Sequence, residues 1–312
     1  MQKVILLLLA CFLSLSLSAQ RSVQMDTIKE GIKWAAGLTH VPLKKEWTNL
    51  LDADFTHWDK FIGVPHTSVS LPDDVPKSDD VRKGTPLGLN NDPLGVFTMI
   101  KEGGADVLKI NGQIYGGLTS KQEYENYHLK LEFRWGEKKW EPRLERQRDN
   151  GLLYHCTGPH GGFWNVWMSS LELQIQERDM GDLFLLAGPS AWVRTTSEAD
   201  SKFPTFRPDG DRTKAGRDGG KGRIIRSSNE EMAHGEWNTI ELYTFGDRAV
   251  HLVNGKVVNA IDDAYLLVNG KEVPLVRGKI QLQSEAADAF FRRVRIKSID
   301  KIPAEILKQA GF

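Results

Sequence analysis

The chain has 312 residues, and its 41 Lys and Arg balance its 41 Asp and Glu to a formal net charge of zero at pH 7. That balance provides no field to gather nucleic acid or an anionic bilayer, so those partners are excluded as the basis of function. With 29 Gly, 13 Pro, 9 Trp and only 2 Cys, the composition is that of a turn-rich, aromatic-rich β-protein held by a core rather than by disulfides.

The chain opens Met1–Gln2–Lys3, runs apolar from Val4 to Leu17 and reaches Ser18–Ala19–Gln20. One basic residue, a short apolar run and a small-residue exit predict a secretory signal peptide over 1–19, with delivery across the inner membrane to the periplasm. The run is too short for a permanent span. Leu8–Leu9–Ala10–Cys11 resembles a lipobox, but the residues after Cys11 stay apolar, so lipoprotein anchoring is the weaker expectation. Cleavage would leave Cys156 alone, without a disulfide. An extension over 20–46 follows, with a short helix expected from Thr27 to Gly37.

Residues 47–298 read as one domain and 299–312 as a tail. Trp47, Leu50, Leu51, Phe55 and Trp58 suggest a first strand and loop, and the Pro-, Asp- and Ser-rich segment Pro65–Asn91 reads as a long surface loop. Short strands are then expected at Phe97–Lys101, Val107–Ile110, Gly117–Ser120, Tyr127–Trp135, Gly151–Cys156, Leu171–Glu177, Leu183–Ala187 and Ala191–Thr195. Further strands are expected at Asn238–Phe245, Arg248–Val253, Lys256–Ala260, Lys279–Ser284 and Ala289–Ser298. The alternation of Tyr127, Leu129, Leu131, Phe133 and Trp135 with polar residues is the clearest. Asn254–Gly255 is the pair that a type I′ hairpin demands. The basic, Gly-rich stretch Ser197–Ser228 reads as a loop, and Pro303–Ala310 as a short final helix. Its Gly219–Gly220–Lys221 lacks the upstream Gly and the following Ser or Thr of a phosphate loop. The pattern is all-β: an antiparallel two-sheet jelly-roll sandwich.

Two strands carry chemistry. In Leu171–Glu177, Glu172, Gln174 and Gln176 share one face and Leu171, Leu173 and Ile175 the other. A carboxylate and two amides beside Phe163, Trp164, Trp167 and Phe184 suit a polyhydroxylated ring with apolar C–H faces. Asn150–His155 brings an imidazole nearby in sequence.

Tyr115–Gly116–Gly117–Leu118–Thr119, Tyr124 and Leu129–Leu131–Phe133–Arg134, then Asn150–Gly151–Leu152 and Leu171–Glu172–Leu173–Gln174–Ile175, form an ordered series. Glu236–Trp237–Asn238, Asn254–Gly255, Ile280–Gln281–Leu282–Gln283 and Phe291–Arg292–Arg293–Val294–Arg295 complete it. The series resembles the 3-keto-disaccharide hydrolase family, which is associated with 3-keto-glucoside 1,2-lyase and 3-keto-2-hydroxy-glucal hydratase activity. The likeness covers roughly Trp47 to Ser298. It implies a concanavalin A-like lectin/glucanase fold and a carbohydrate substrate, in particular a 3-keto glucoside. The chain departs from the family in the Lys138–Arg148 connection and in Ser197–Ser228, both of which would reshape a groove rim.

A 3-keto sugar has an acidified C2 proton, so a base can remove it, the C1 aglycone can leave, and water can add to the resulting 2-hydroxy-glucal. Glu172 and His155 are the expected base and acid, in either order. Gln174 would bind the ketone or a hydroxyl, and Arg134 the enolate. Trp164, Trp167 and Glu177 are expected as further substrate contacts. A lone strand His is ordinarily structural, and an Arg on an alternating strand ordinarily a surface charge. No cofactor is expected: His155, His160 and Glu172 could hold a divalent ion, but no tight spacing supports one. Two alternatives stand. Glu172–x–Gln174–x–x–Glu177 is similar to the acid strand of retaining jelly-roll glucanases, although alternation puts Glu177 on the wrong face. A non-catalytic carbohydrate-binding module is the other.

Overall fold

The computed structural model describes residues 42–197 and 201–312, so the signal-peptide reading and the Thr27–Gly37 helix lie outside the described residues. Two antiparallel sheets, of twelve and nine strands, face each other. Tyr127, Leu129, Leu131, Phe133 and Phe291 of the larger sheet pack with Leu118, Leu152, Tyr154, Leu171, Leu173, Ile280 and Leu282 of the smaller. Each is nearly sealed from solvent, so the interface between the sheets is the core, and alternation along each strand assigns its two faces. Among the described residues, no helix is long and apolar enough to cross a membrane.

The expected strands are present, most with small end shifts, but the one expected at Lys256–Ala260 continues to Val268. Tyr127–Lys139 is longer than its alternation suggests, whereas Ser169–Gln174 stops three residues before Glu177. Asn254 (φ 48°) and Gly255 (φ 80°) both adopt the left-handed conformation that a type I′ turn requires. The Ser197–Ser228 stretch differs from the loop expected. It contributes Thr205–Phe206, Asp211–Gly216 and Arg223–Ile224. The pairing of Asp211–Gly216 with Pro189–Thr196 is what makes a strand of a Gly-rich, charged stretch. Its Arg212 lies 4.5 Å from the centre of the Trp192 ring, so the cationic side chain is also an apolar partner. The tail is packed rather than loose. The Ala304–Ala310 helix buries Ala310, and Ile306, Leu307 and Phe312 join the sandwich core.

In the smaller sheet, Leu183–Leu186, Ser169–Gln174, Gly151–Thr157, Arg277–Ser284, Gly116–Ser120 and Trp58–Ile62 lie side by side in that order. The face turned away from the larger sheet is not simply solvated. Leu153, Cys156 and Leu186 on it pack under Tyr115, Val166, Trp167 and Met168 as a second apolar cluster. The Gly158–Met168 connection is therefore folded back over the sheet. It is held there by Trp167 Nε1–H donating to Gly116 O (3.0 Å) and Met168 N–H donating to Gln281 Oε1 (3.3 Å).

Candidate active site

Strand register assembles the site. Gln174 pairs with Gly151, and Leu152 pairs with both Leu173 and Leu282, which sets Gln283 beside Gly151 on the far side. Glu172 and Gln174 occupy the outer face of one strand, and Gln281 and Gln283 that of another, with Gly151 in the strand between. A Cβ at Gly151 would collide with Oε1 of both Glu172 and Gln283. Glycine is what lets these two side chains hydrogen-bond across the intervening strand. Gly117 plays the same part beside Gln281, whose amide donates to Thr119 Oγ1 at 2.6 Å.

Glu172 is 3 % exposed. Burial, then the nearby charges of Asp149 and Glu285, push its carboxyl well above the ordinary range, against a smaller opposing effect of Gln283. The two neighbours belong to an isolated bridge, Asp149↔Glu285, at the end of the same strands. Arg143 clamps both: its Nη2 is 2.5 Å from Asp149 Oδ2 and its Nη1 is 2.9 Å from Glu285 Oε1. Gln176 Nε2 also donates to Asp149 Oδ2 at 2.5 Å. Burial holds Asp149 up at about 6 despite Arg143, and burial plus Asp149 raises Glu285 well above its usual range. The Tyr115 ring stacks on Trp167, with centroids 5.6 Å apart and planes at 22°, and its hydroxyl contacts Arg143. Gln174 Oε1 accepts from Ile175 N–H (3.0 Å), so its NH2 is the donor that this bond leaves unused. Phe184, opposite Glu172 on the next strand, adds an apolar wall. Three carboxyls, one guanidinium, two amides and aromatic side chains thus meet on one face of the smaller sheet, a set of groups suited to proton transfer on a polyhydroxylated ring.

Glu172 and Gln174 share one strand face as expected, whereas Gln176 lies past the strand end and joins them through Asp149; Asp149, Glu285, Arg143, Tyr115 and Gln283 were not expected. Tyr115 and Gln283 stand inside family-like motifs, Asp149 and Glu285 flank recognised strands, and Arg143 lies in the connection treated as a departure. Only the cross-strand pairing joins them.

His155 requires a correction. The strand Gly151–Thr157 has one residue too many between its pairs Leu171↔Tyr154 and Ser169↔Thr157, and His155 takes φ 49° there. This bulge reverses the alternation. The imidazole points between the sheets, 6.4 Å from Tyr127 and 5.3 Å from Tyr154 by ring centroids, while Cys156 takes the outer face. Sealed from solvent, His155 is pushed down to about 3 by burial, so it is a neutral structural residue and not the acid expected.

Arg134 is also elsewhere. It alternates with core residues Phe133 and Trp135, so it lies on the outside of the larger sheet. There it pairs with Glu102 at 3.0 Å and covers Trp237 at 4.7 Å. The thickness of the sandwich, about 10 Å between sheets, separates it from Glu172. Glu177 sits past the end of its strand, paired with Arg148 at 3.2 Å. It lines a different cleft of about 260 Å³ with Trp135, Arg178, Asn229, Glu231, Met232 and His234. Of the two tryptophans, Trp167 is buried against Tyr115, whereas Trp164 is 42 % exposed, stacked on Phe163 at 4.8 Å. Among the described residues, no cluster of three or more His, Cys, Asp or Glu is arranged to hold a metal ion.

Among solved structures, the fold is similar to a glycosyl hydrolase candidate from Parabacteroides distasonis ATCC 8503. The two share 16 % identity and a TM-score of 0.42, over 81 % of this chain and all of that one. It is also similar to a β-glucanase from Bacillus licheniformis, with 9 % identity and a TM-score of 0.40, over 82 % of this chain and 98 % of that one. A third is the carbohydrate-binding module CBM66 from Bacillus subtilis, with 10 % identity and a TM-score of 0.39, over 65 % of this chain and 92 % of that one. No curated protein matches the chain. The model of the 3-keto-alpha-glucoside-1,2-lyase-like domain matches residues 46–297, a span that holds both sheets and every residue of the pocket. The chain therefore belongs to the 3-keto-alpha-glucoside-1,2-lyase-like domain family of carbohydrate-active enzymes.

Proposed function

We propose that the chain cleaves 3-keto glycosides by removing the C2 proton, eliminating the C1 aglycone and hydrating the 2-hydroxy-glucal that results. One observation carries this reading. Of the three carboxyls in the pocket, Asp149 and Glu285 are bound by Arg143, and Glu172 alone has no cationic partner among the described residues. A carboxyl raised by burial and left without a counter-cation is a stronger base than an ordinary glutamate, which is what abstraction of a carbon-bound proton needs. Gln174 shares the face of Glu172, and its NH2, unused by the Ile175 bond, is a donor for the C3 oxygen as negative charge gathers there. Double displacement would need a second, nucleophilic carboxylate about 5–5.5 Å from the first. The two nearby candidates are both engaged by Arg143, and Glu177 is in another cleft.

The test is to incubate the protein with 3-keto and unoxidised glucosides in deuterated water and follow products by NMR. Cleavage confined to the 3-keto substrate, with deuterium entering at C2, is expected. Efficient hydrolysis of the unoxidised glucoside without C2 label would replace this reading with a glucanase mechanism. Binding without turnover of either would leave a carbohydrate-binding module. Export is part of the same proposal and rests on the Val4–Leu17 run and the Ser18–Ala19 exit. A mature periplasmic protein beginning at Gln20 is the expected result.

A further inference from the structure

The elimination needs a second proton transfer, to the departing oxygen, and with His155 in the core the expected acid is missing. We propose that Tyr115 is that acid and that Arg143 is the residue that positions it. The inference rests on the elimination reading above.

Tyr115 immediately precedes the Gly116–Ser120 strand, and its ring belongs to the apolar cluster on the outer face of the sheet. Glu172 lies three strands away on the same face and is level with Thr119 through Leu153 and Gln281, four residues along from Tyr115, so the two backbones are about 19–20 Å apart at a strand spacing near 4.8 Å and a rise near 3.3 Å per residue. Glu172 leans over Gly151, and both it and Tyr115 have Asp149 and Glu285 as charged neighbours, so the two groups flank the same pair of carboxyls. The Tyr115 ring is fixed by its stack on Trp167, which is itself anchored to Gly116 O. Its hydroxyl oxygen accepts from the Arg143 guanidinium, so the O–H hydrogen remains free to donate. Arg143 can neither accept a proton nor lose one, so its part is to hold the phenol and to stabilise the phenolate that forms. Among the described residues, Tyr115 is the hydroxyl group that combines this location with a cationic neighbour.

The proton balance closes. Glu172 takes the C2 proton, and the C–H electron pair moves onto the C3 oxygen. As the C3 carbonyl re-forms, C1=C2 becomes a double bond and the C1–O bond breaks. The aglycone oxygen takes the Tyr115 proton and leaves as an alcohol or phenol. Solvent then returns the proton from Glu172 to the Tyr115 phenolate after the aglycone has departed.

The experiment uses Tyr115→Phe in the full chain with two 3-keto glucosides, one carrying a nitrophenol that leaves without a proton and one carrying a simple alcohol that does not. Release of the alcohol should fall on the order of 10²-fold, the scale of a lost general acid, whereas release of the nitrophenol should change by about threefold or less. Exchange of the C2 hydrogen with deuterated solvent should continue in the variant, because the Glu172 step is intact. Equal losses for both aglycones, or loss of C2 exchange in step with aglycone release, would overturn the assignment. Full activity of the variant on the alkyl substrate would overturn it as well. If the unaltered protein shows no C2 exchange on either substrate, it is the elimination reading itself that fails, a result distinct from any behaviour of the variant.

Discussion

Glu172 and Gln283 touch across Gly151, two long polar side chains meeting over a strand that supplies no side chain of its own. The contact keeps the carboxyl in the pocket rather than folded back on its strand. In Gly151→Ala the new methyl would occupy the space of both oxygens. We expect at least a tenfold loss of turnover and a destabilisation of about 1–3 kcal/mol, the usual cost of inserting a methyl into packed surroundings. Denaturant unfolding beside the activity assay checks both. Wild-type behaviour would mean the contact is dispensable.

Glu172→Gln removes the proposed base while keeping the shape and the hydrogen bond to Gln283. Turnover of a 3-keto glucoside should fall 10²-fold or more. Glu177→Gln, in the separate cleft paired with Arg148, should cost no more than about threefold. A reversed order of effects would move the chemistry to the second cleft.

The pH profile follows from the raised Glu172 carboxyl. The base must be ionised, so kcat/KM should fall as pH drops through its pKa. Because burial raises that pKa, the acid limb should lie well above 4.5. An acid limb at an ordinary glutamate value would show that Glu172 is solvated in the working enzyme.

Arg143→Gln leaves two buried carboxyls without their cation. A loss of roughly 3–5 kcal/mol is expected at neutral pH. Groups whose folded-state pKa is raised hold more protons folded than unfolded, so their cost grows as pH rises from about 4 through that pKa. Asp149 already stands at about 6 with Arg143 present, so the penalty should be smaller at pH 5 than at pH 8. Urea unfolding at the two pH values measures it. A penalty independent of pH would contradict the buried ion-pair account.

His155 makes the opposite prediction for activity. His155→Asn keeps a residue that tolerates the positive φ of the bulge, and it should retain turnover within a few-fold. Its stability profile should change. The buried imidazole titrates at about 3 folded and 6.5 unfolded, so its contribution is complete above 6.5 and lost as pH falls toward 3. The variant should therefore lose less stability than the wild type between pH 6.5 and 4, as read from thermal midpoints.

Alternation of apolar and polar residues was enough to read the sandwich, the Asn254–Gly255 hairpin and the shared face of Glu172 and Gln174, because a pleated strand repeats every two residues and one face must be buried. That rule holds only while the count along the strand is unbroken. At His155 a single extra residue reversed it, and nothing local in Leu153–Tyr154–His155–Cys156 marks the bulge. It is defined by pairing with Ser169–Gln174 on one side and Arg277–Ser284 on the other. For the same reason, the union of Tyr115, Arg143, Asp149, Glu172 and Glu285 was decided by the tertiary structure alone. These residues are as many as 170 positions apart, and only the hydrogen-bonded register of four neighbouring strands, with the connection that carries Arg143 to their ends, brings their charges close enough to shift one another.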